Sequence, residues 1–356
     1  MNFSAPRGRP PKGADVPVSL PRGESARFRS EPDGFGYHLT SVRSDVHILQ
    51  AVGTHWPASG NIVIVEDDDG VTLIDCGLGG EPAKVSLAAS LQAMGYGLDA
   101  IHTVLITHPH IDHMGGLAFV TPATRIFGSV EIASAASGEA AMAELIFPTS
   151  VRDMAPARAG VDIVEHLRED CGAQKLDISV TALEDRQIVQ VGRTRWVAVD
   201  TPGHEKGMFS YFEPDLGILV CSDLLLSPGT SIPWYTPEGG GTSAYLQSLA
   251  CLKEFEISLA VRGHGLPVHG RDEVTTVIQE TRARIEGRNE TVAAALSELP
   301  LTFAELEQQI YPSYVYDVIP WASTVLATHL HEGIQSGQLR QHGEKFEAIT
   351  QVGGAR

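Results

Sequence analysis

Cysteine is scarce in this chain of 356 residues, and Cys76, Cys171, Cys221 and Cys251 lie far apart with no C-x-x-C pair. That spacing fits neither a disulfide framework nor a thiolate metal site, so reduced and mostly buried thiols are expected. Long apolar runs are missing too: no stretch approaches the roughly 18 residues of a membrane span. Hydrophobic residues nevertheless make up 43% of the chain and charged residues 20%, ordinary globular values. Positive charge is in short supply, with 26 Lys and Arg against 44 Asp and Glu and a formal charge of -18. Such a surface repels polyanions, so nucleic acid is not an expected partner. Neither G-x-S-x-G nor a P-loop is present, which removes two common catalytic mechanisms. The N-terminus MNFSAPRGRPPKG has basic residues without a following apolar segment, so no secretory signal is read and a cytoplasmic location is expected.

Length sets a prior of about two domains. Residues 1–36 hold six prolines among scattered Arg, Ser and Gly, and read as a flexible tail that cannot offset the entropy of ordering. Within it P-R-G-R-P-P-K-G, Pro6 to Gly13, resembles an AT-hook for the minor groove of A·T-rich DNA; a plain basic tail is the simpler reading. From Val46 short apolar runs begin. N-I-V-I-V and V-T-L-I-D are joined by Glu66 to Gly70, whose Asp-Gly step predicts a hairpin. A helix is predicted around Ala83 to Met94, followed by the strand H-T-V-L-I-T. Later, strands near Gln187 to Val191 and Arg195 to Val199 run into T-P-G-H, G-M-F-S-Y-F pairs with G-I-L-V-C, and S-L-A-V-R runs into G-H-G. This alternation predicts an α/β domain over 37–274 with its chemistry at strand ends. The Ala-rich stretch 133–185 reads as a cap or insertion. Residues 275–356 turn helical, with a capping box at Thr302 to Glu305 and a closing hairpin, the pattern of a small α+β winged-helix-like domain.

T-H-P-H-I-D-H-M-G-G, Thr107 to Gly116, crowds three histidines and an aspartate into six residues just past a strand. Such groups are costly to bury unless something holds them, and imidazole with carboxylate is ligand chemistry suited to zinc. His108 and His110 can address one position, and Asp112 and His113 a second, which points to two metals. His204, Asp223 and His264, each beyond a later strand end, are candidates to complete them. Gly115 and Gly116 allow a tight turn beneath. His55, His102, His269, His329 and His331 read as surface or structural residues.

The cluster resembles the H-x-H-x-D-H signature of the metallo-β-lactamase superfamily. L-I-D-C-G with Asp75, D-T-P-G-H with His204, C-S-D with Asp223 and R-G-H-G-L-P with His264 stand in that family's order over roughly residues 40–270. The resemblance implies an αββα four-layer sandwich. It also implies two Zn2+ per chain, with Fe or Mn as substitutes: His108, His110 and His204 on one, Asp112, His113 and His264 on the other, and Asp223 between them. Asp75 would support the site as an acceptor behind the ligands. Two metals about 3.5 to 4 Å apart can share a water, lower its pKa and polarise the oxygen it attacks. Asp112 is the candidate to orient or accept a proton of that water.

The C-terminal run resembles the winged-helix extension of the lactamase-like subgroup, which includes glyoxalase-type thioester hydrolases, polyketide-associated thioesterases and an endoribonuclease. Residues 275–356 contain ten acidic and six basic residues, without a basic recognition face. A small acyl substrate (thioester, ester or lactone) is therefore the first expectation. A phosphodiester such as RNA is the alternative, and DNA association through the tail a third reading. A structural or dimerising role, giving a homodimer, suits the C-terminal domain. Glyoxalase II enzymes read T-P-G-H-T-x-G-H where this chain has Glu205-Lys206-Gly207-Met208, so glutathione thioesters fit poorly. β-Lactamases proper generally lack the bridging carboxylate, and flavin-coupled di-iron relatives replace His110 by Glu. Trp56, Met114, Met208, Trp234 and Tyr235 are candidates for an apolar wall against an acyl chain.

Overall fold

A computed structural model describes residues 25–29, 36–52, 58–154, 162–226, 232–233, 235–236, 239–312 and 321–349. The chain opens with an antiparallel meander of β1 (Ser25–Arg29), β2 (Gly36–Arg43), β3 (Val46–Val52), β4 (Ile62–Asp67) and β5 (Gly70–Ile74). Helix α1 (Glu81–Ala93) crosses to β6 (Ile101–Leu105), which lies parallel to β5. After α2 (Ile111–Met114), β7 (Arg125–Gly128) continues the parallel half. Four helices follow, α3 (Val130–Ala135), α4 (Glu139–Ile146), α5 (Thr149–Met154) and α6 (Ile163–Glu169), before β8 (Val180–Ala182) completes an eight-stranded sheet in chain order.

The second sheet contains β9 (Ile188–Val191), β10 (Thr194–Asp200), β11 (Phe209–Glu213) and β12 (Ile218–Ser222). The short pair β13 (Tyr235–Thr236) and β14 (Gly239–Gly240) and helix α7 (Gly241–Cys251) lead to β15 (Leu259–Arg262) and β16 (Val268–His269). These last two join the sheet in the order β16-β15-β12-β11-β10-β9. Then come α8 (Arg271–Glu298), β17 (Leu301–Thr302), α9 (Phe303–Ile310), α10 (Trp321–Gln335), β18 (Leu339–His342) and β19 (Lys345–Ala348), with a three-stranded sheet β17-β19-β18.

The apolar run of β4 explains the layering. Successive side chains point to opposite faces, and both faces of this strand are covered. Val63 and Val65 meet Trp196, Tyr211, Val220 and Val261 between the two sheets. Ile62 and Ile64 face outward with Leu73 and Val104, onto Leu87 and Leu91 of α1 and onto buried residues of α3, α4 and α6. The outer face of the second sheet packs Leu219, Cys221 and Ala260 against Tyr245 and Leu249 of α7 and Val274, Ile278 and Ile285 of α8. Helices, sheet, sheet and helices form the αββα sandwich. Each such aliphatic side chain contributes on the order of 1.5 to 3 kcal/mol of burial, which holds the two sheets together beneath the edges that carry the site.

The predicted hairpin forms with Asp67 opposite Gly70. Only glycine fits there, because φ is 140° and the Ala100 carbonyl occupies the place a Cβ would take. The capping box also forms: the Glu305 amide donates to Thr302 Oγ1 and the Thr302 amide to Glu305 Oε2. Three expectations change. Residues 1–36 were expected to stay unpaired, yet β1 is hydrogen-bonded to β2; Pro6 to Gly13 lie outside the described residues. The stretch 133–185 is no separate cap, because β8 pairs with β7 and its helices share the core of the first sheet. The boundary between 274 and 275 falls inside α8, whose helical pattern runs unbroken from the second sheet's core into the C-terminal elements. Among the described residues no helix is long and apolar enough to cross a membrane.

Candidate metal centre

The functional side chains come from five strand ends on one rim of the sandwich. Asp75 follows β5, Thr107 to His113 follow β6, His204 follows β10, Asp223 follows β12 and His264 follows β15. Because β5 runs parallel to β6, and β12 parallel to β15, their C-terminal ends open at the same edge, where α/β sheets place their sites. The turns are tight. Asp75 and Ser222 both adopt left-handed backbone, with φ of 58° and 44°. Non-glycine residues there cost energy and are kept where the surroundings over-determine them.

Three groups of ligand atoms converge, each within 4.8 Å of one another: His108, His110 and His204; His108, His113 and Asp223; Asp112, His113 and His264. His110 Nδ1 lies 3.2 Å from His204 Nε2. Asp223 spans the cluster, with Oδ1 3.4 Å from His113 Nε2 and Oδ2 3.5 Å from His204 Nε2 and 3.6 Å from His264 Nε2. Asp112 Oδ2 lies 3.1 Å from His264 Nε2. His108 Nε2, His113 Nε2 and Asp223 Oδ1 are buried and make no hydrogen bond. Each orphaned buried polar atom costs about 1 to 3 kcal/mol. Three of them converging, all nitrogen or carboxylate oxygen and none of them thiolate, fit a divalent cation.

Partners behind the rings decide which nitrogen faces inward. A carboxylate can only accept, so His113 Nδ1 donates to Asp75 Oδ2 at 2.9 Å and Nε2 is left toward Asp112 and Asp223. Thr107 donates its backbone N–H to Asp75 Oδ1 and its hydroxyl to Oδ2, each at 2.8 Å. With its proton so placed, the Thr107 hydroxyl accepts from His108 Nδ1 at 3.0 Å, leaving His108 Nε2 toward the cluster. His204 Nδ1 donates to the Ile232 carbonyl at 2.9 Å. Asp75 is thus a buried acceptor behind two rings.

The electrostatics divide the cluster. Burial, and then the neighbouring rings of His113, His110 and His204, push His108 well below the usual histidine range. Burial likewise takes His204 down to about 4 against the pull of Asp223. Both are therefore neutral, the form that ligates. Burial opposes charge on Asp112, but His113 and His264 outweigh it and hold its carboxyl at about 2. Asp223 too is held well below the usual carboxylate range, with His264 and His113 overcoming burial. In turn, Asp112 and Asp223 raise His113 and His264 despite their burial.

Other expected site residues lie elsewhere. Met114 and Met208 have no exposed surface and belong to the hydrophobic layers, so they form no wall for a ligand. Burial in the core is the physical reason, since a side chain with no exposed surface meets only protein. Trp56 and Trp234 lie outside the described residues, and for Tyr235 only the backbone strand is described. Of the remaining histidines, His102 bonds Asp67 and His329 bonds Asn289, and neither belongs to a ligand group.

Three contributors escaped the sequence reading. Glu205 has no exposed surface and places Oε2 3.3 Å from His110 Nε2. Asn61 clamps the His264 turn: its Nδ2 donates to the carbonyls of Arg262 and Gly265 at 2.9 Å, and its own N–H donates to Gly263 O at 2.6 Å. Gly60 donates to Asp112 O at 2.8 Å. The only signal was local, a carboxylate straight after His204 and S-G-N straight before a strand.

Comparison with known proteins agrees with this geometry. The profile described as the metallo-beta-lactamase superfamily matches residues 55–264. The Bacillus subtilis protein named "Probable metallo-hydrolase YqjP" is 26% identical over 276 residues, covering 75% of this chain and 85% of that protein. A hydroxyacylglutathione hydrolase of Ectopseudomonas mendocina is 24% identical over 198 residues, 52% of this chain and 60% of that enzyme. The fold is shared with a metallo-beta-lactamase family protein of Thermus thermophilus, with TM-score 0.70 and 20% identity over 87% of this chain and all of that one. Five strand ends delivering histidines and carboxylates to one rim, and a profile match spanning most of both sheets, make the chain a metallo-hydrolase fold of the metallo-beta-lactamase superfamily.

Proposed function

We propose that the protein is a dinuclear zinc hydrolase acting on a small acyl substrate of thioester, ester or lactone type. The observation that carries this reading is the convergence of orphaned buried atoms at His108, His113 and Asp223. His108, His110 and His204 would hold one cation, and Asp112, His113 and His264 the other, with Asp223 reaching both. Two bound divalent cations would supply Lewis acidity and a water acidified toward neutrality. The protein's own residues supply orientation: Asp75 and Thr107 aim two rings, Ile232 aims a third, and Asn61 holds the turn that bears His264. Asp112, partly exposed beside His113 and His264, would orient an attacking water through its carboxylate.

An acyl substrate is favoured over a phosphodiester because a formal charge of -18 opposes a polyanion. The likeness to hydroxyacylglutathione hydrolases, named for a thioester substrate, supports the same choice. We read the C-terminal elements as a winged-helix-like support. α10 packs against α7 and β13, and Thr328 Oγ1 donates to the Pro233 carbonyl at 3.2 Å, beside the Ile232 carbonyl that holds His204. A panel of acyl thioesters, lactones and single-stranded RNA, run with elemental analysis, tests the proposal. Close to two metals per chain and turnover of an acyl substrate, abolished in a folded Asp223→Ala protein, are expected. RNA cleavage alone refutes the substrate class, and full activity after exhaustive chelation refutes the metal mechanism.

A further inference from the structure

We infer that Glu205 is a positioning residue that fixes His110 with its proton on Nε2 and its lone pair on Nδ1, facing the same point as His204 Nε2. The inference rests on the metal reading above and assigns it a part that the ligand motifs do not contain. A carboxylate taken wholly out of water costs several kcal/mol unless its oxygens are engaged. Glu205 has no exposed surface at all. Its Oε1 accepts the Lys206 backbone N–H at 2.8 Å, which pins the side chain to its own turn, and its Oε2 faces His110 Nε2 at 3.3 Å.

The consequence follows from donor and acceptor rules. Because the Glu205 oxygen accepts, the ring nitrogen facing it carries the proton, and the opposite nitrogen keeps its lone pair. That opposite nitrogen is the one 3.2 Å from His204 Nε2, within the first ligand group. Of the rings in that group, His108 leans on Thr107 and His204 on a backbone carbonyl, both neutral acceptors. His110 has the buried carboxylate of Glu205 behind it, which raises the basicity of its ligating nitrogen. A threonine at position 205 would be too short to reach across to His110.

Zinc affinity of the whole chain, measured by competition with a chromogenic chelator, tests this without any substrate. Glu205→Gln keeps one accepting oxygen but loses the charge and should weaken one of the two zinc steps by about 10-fold, whereas Glu205→Thr, which loses the contact as well, should weaken it by about 100-fold. Melting of the metal-free proteins checks that both variants fold. Wild-type affinity in folded Glu205→Thr overturns the inference, as does Glu205→Gln binding as weakly as Glu205→Thr. Should Glu205→Thr not fold, 15N spectra of zinc-loaded wild type decide: a proton on His110 Nε2 supports the assignment and a proton on Nδ1 overturns it. Failure of wild type to bind zinc at all would sink the metal reading itself, which separates the two failures.

Discussion

Replacing Asp75 by asparagine isolates the hydrogen-bond network that orients the centre. The exchange keeps shape, and asparagine tolerates left-handed backbone, so the φ of 58° adds no penalty of its own. The carboxylate accepts the Thr107 N–H on Oδ1, and the Thr107 hydroxyl, His113 Nδ1–H and Ser222 hydroxyl on Oδ2. An amide has one accepting oxygen. Its better orientation keeps the three Oδ2 contacts and turns the NH2 group onto the Thr107 N–H, leaving a buried donor facing a donor. That costs about 1 to 3 kcal/mol, and exchanging charge-assisted bonds for neutral ones adds roughly 1 more, so a loss of about 2 to 4 kcal/mol is expected. His113 also loses its anionic partner, which should weaken zinc binding about 10- to 100-fold. Urea unfolding of the metal-free protein reads the first quantity and chelator competition the second. Asp75→Ala should lose still more, because alanine carries a left-handed backbone cost of roughly 1 to 2 kcal/mol. An Asp75→Asn protein with an unchanged urea midpoint and unchanged zinc affinity would refute the claim that this carboxylate organises the rings.

Gly263→Ala should abolish zinc binding while leaving most of the fold intact, since its Cβ would run into Asp223 Oδ1 and lie 2.9 Å from His113 Cε1; two zinc ions per chain in the purified variant would contradict this. His329, held at about 3 by burial and by Arg288, is neutral in the folded protein, so its folded pKa lies below its unfolded value. The stability it contributes is complete above pH ~6.5 and is lost as pH falls toward 3, by about 1.4 kcal/mol per unit, or about 2 kcal/mol at pH 5. His329→Gln should therefore flatten the acid limb of stability measured by urea unfolding between pH 7 and pH 4.5 by about one proton, and an identical limb would show that His329 is protonated in the fold.

The apolar runs sufficed to predict the strands β4, β5, β6 and β9 to β12, because periodicity is a local property that each strand carries in its own residues, but not the short β7 and β8. It did not suffice for β1, whose Pro- and Arg-rich surroundings conceal it, nor for the unbroken course of α8 across the expected boundary at 274 and 275. Met114 and Met208 illustrate a further limit: closeness in sequence to a ligand says nothing about side, and both point into apolar layers.

For the site, composition and spacing alone determined the donor chemistry. Histidines and carboxylates placed just past strand ends can do little else as cheaply as hold a cation, and that holds whatever the detailed geometry. Only the tertiary structure decided which nitrogen of each ring faces the cluster and what holds it there. Glu205 meets His110 across 95 positions and Asn61 meets the His264 turn across more than 200, contacts made by strand ends that the two sheets bring to one rim. A ring's orientation is set by its partner in space, and no local pattern in the chain records that partner.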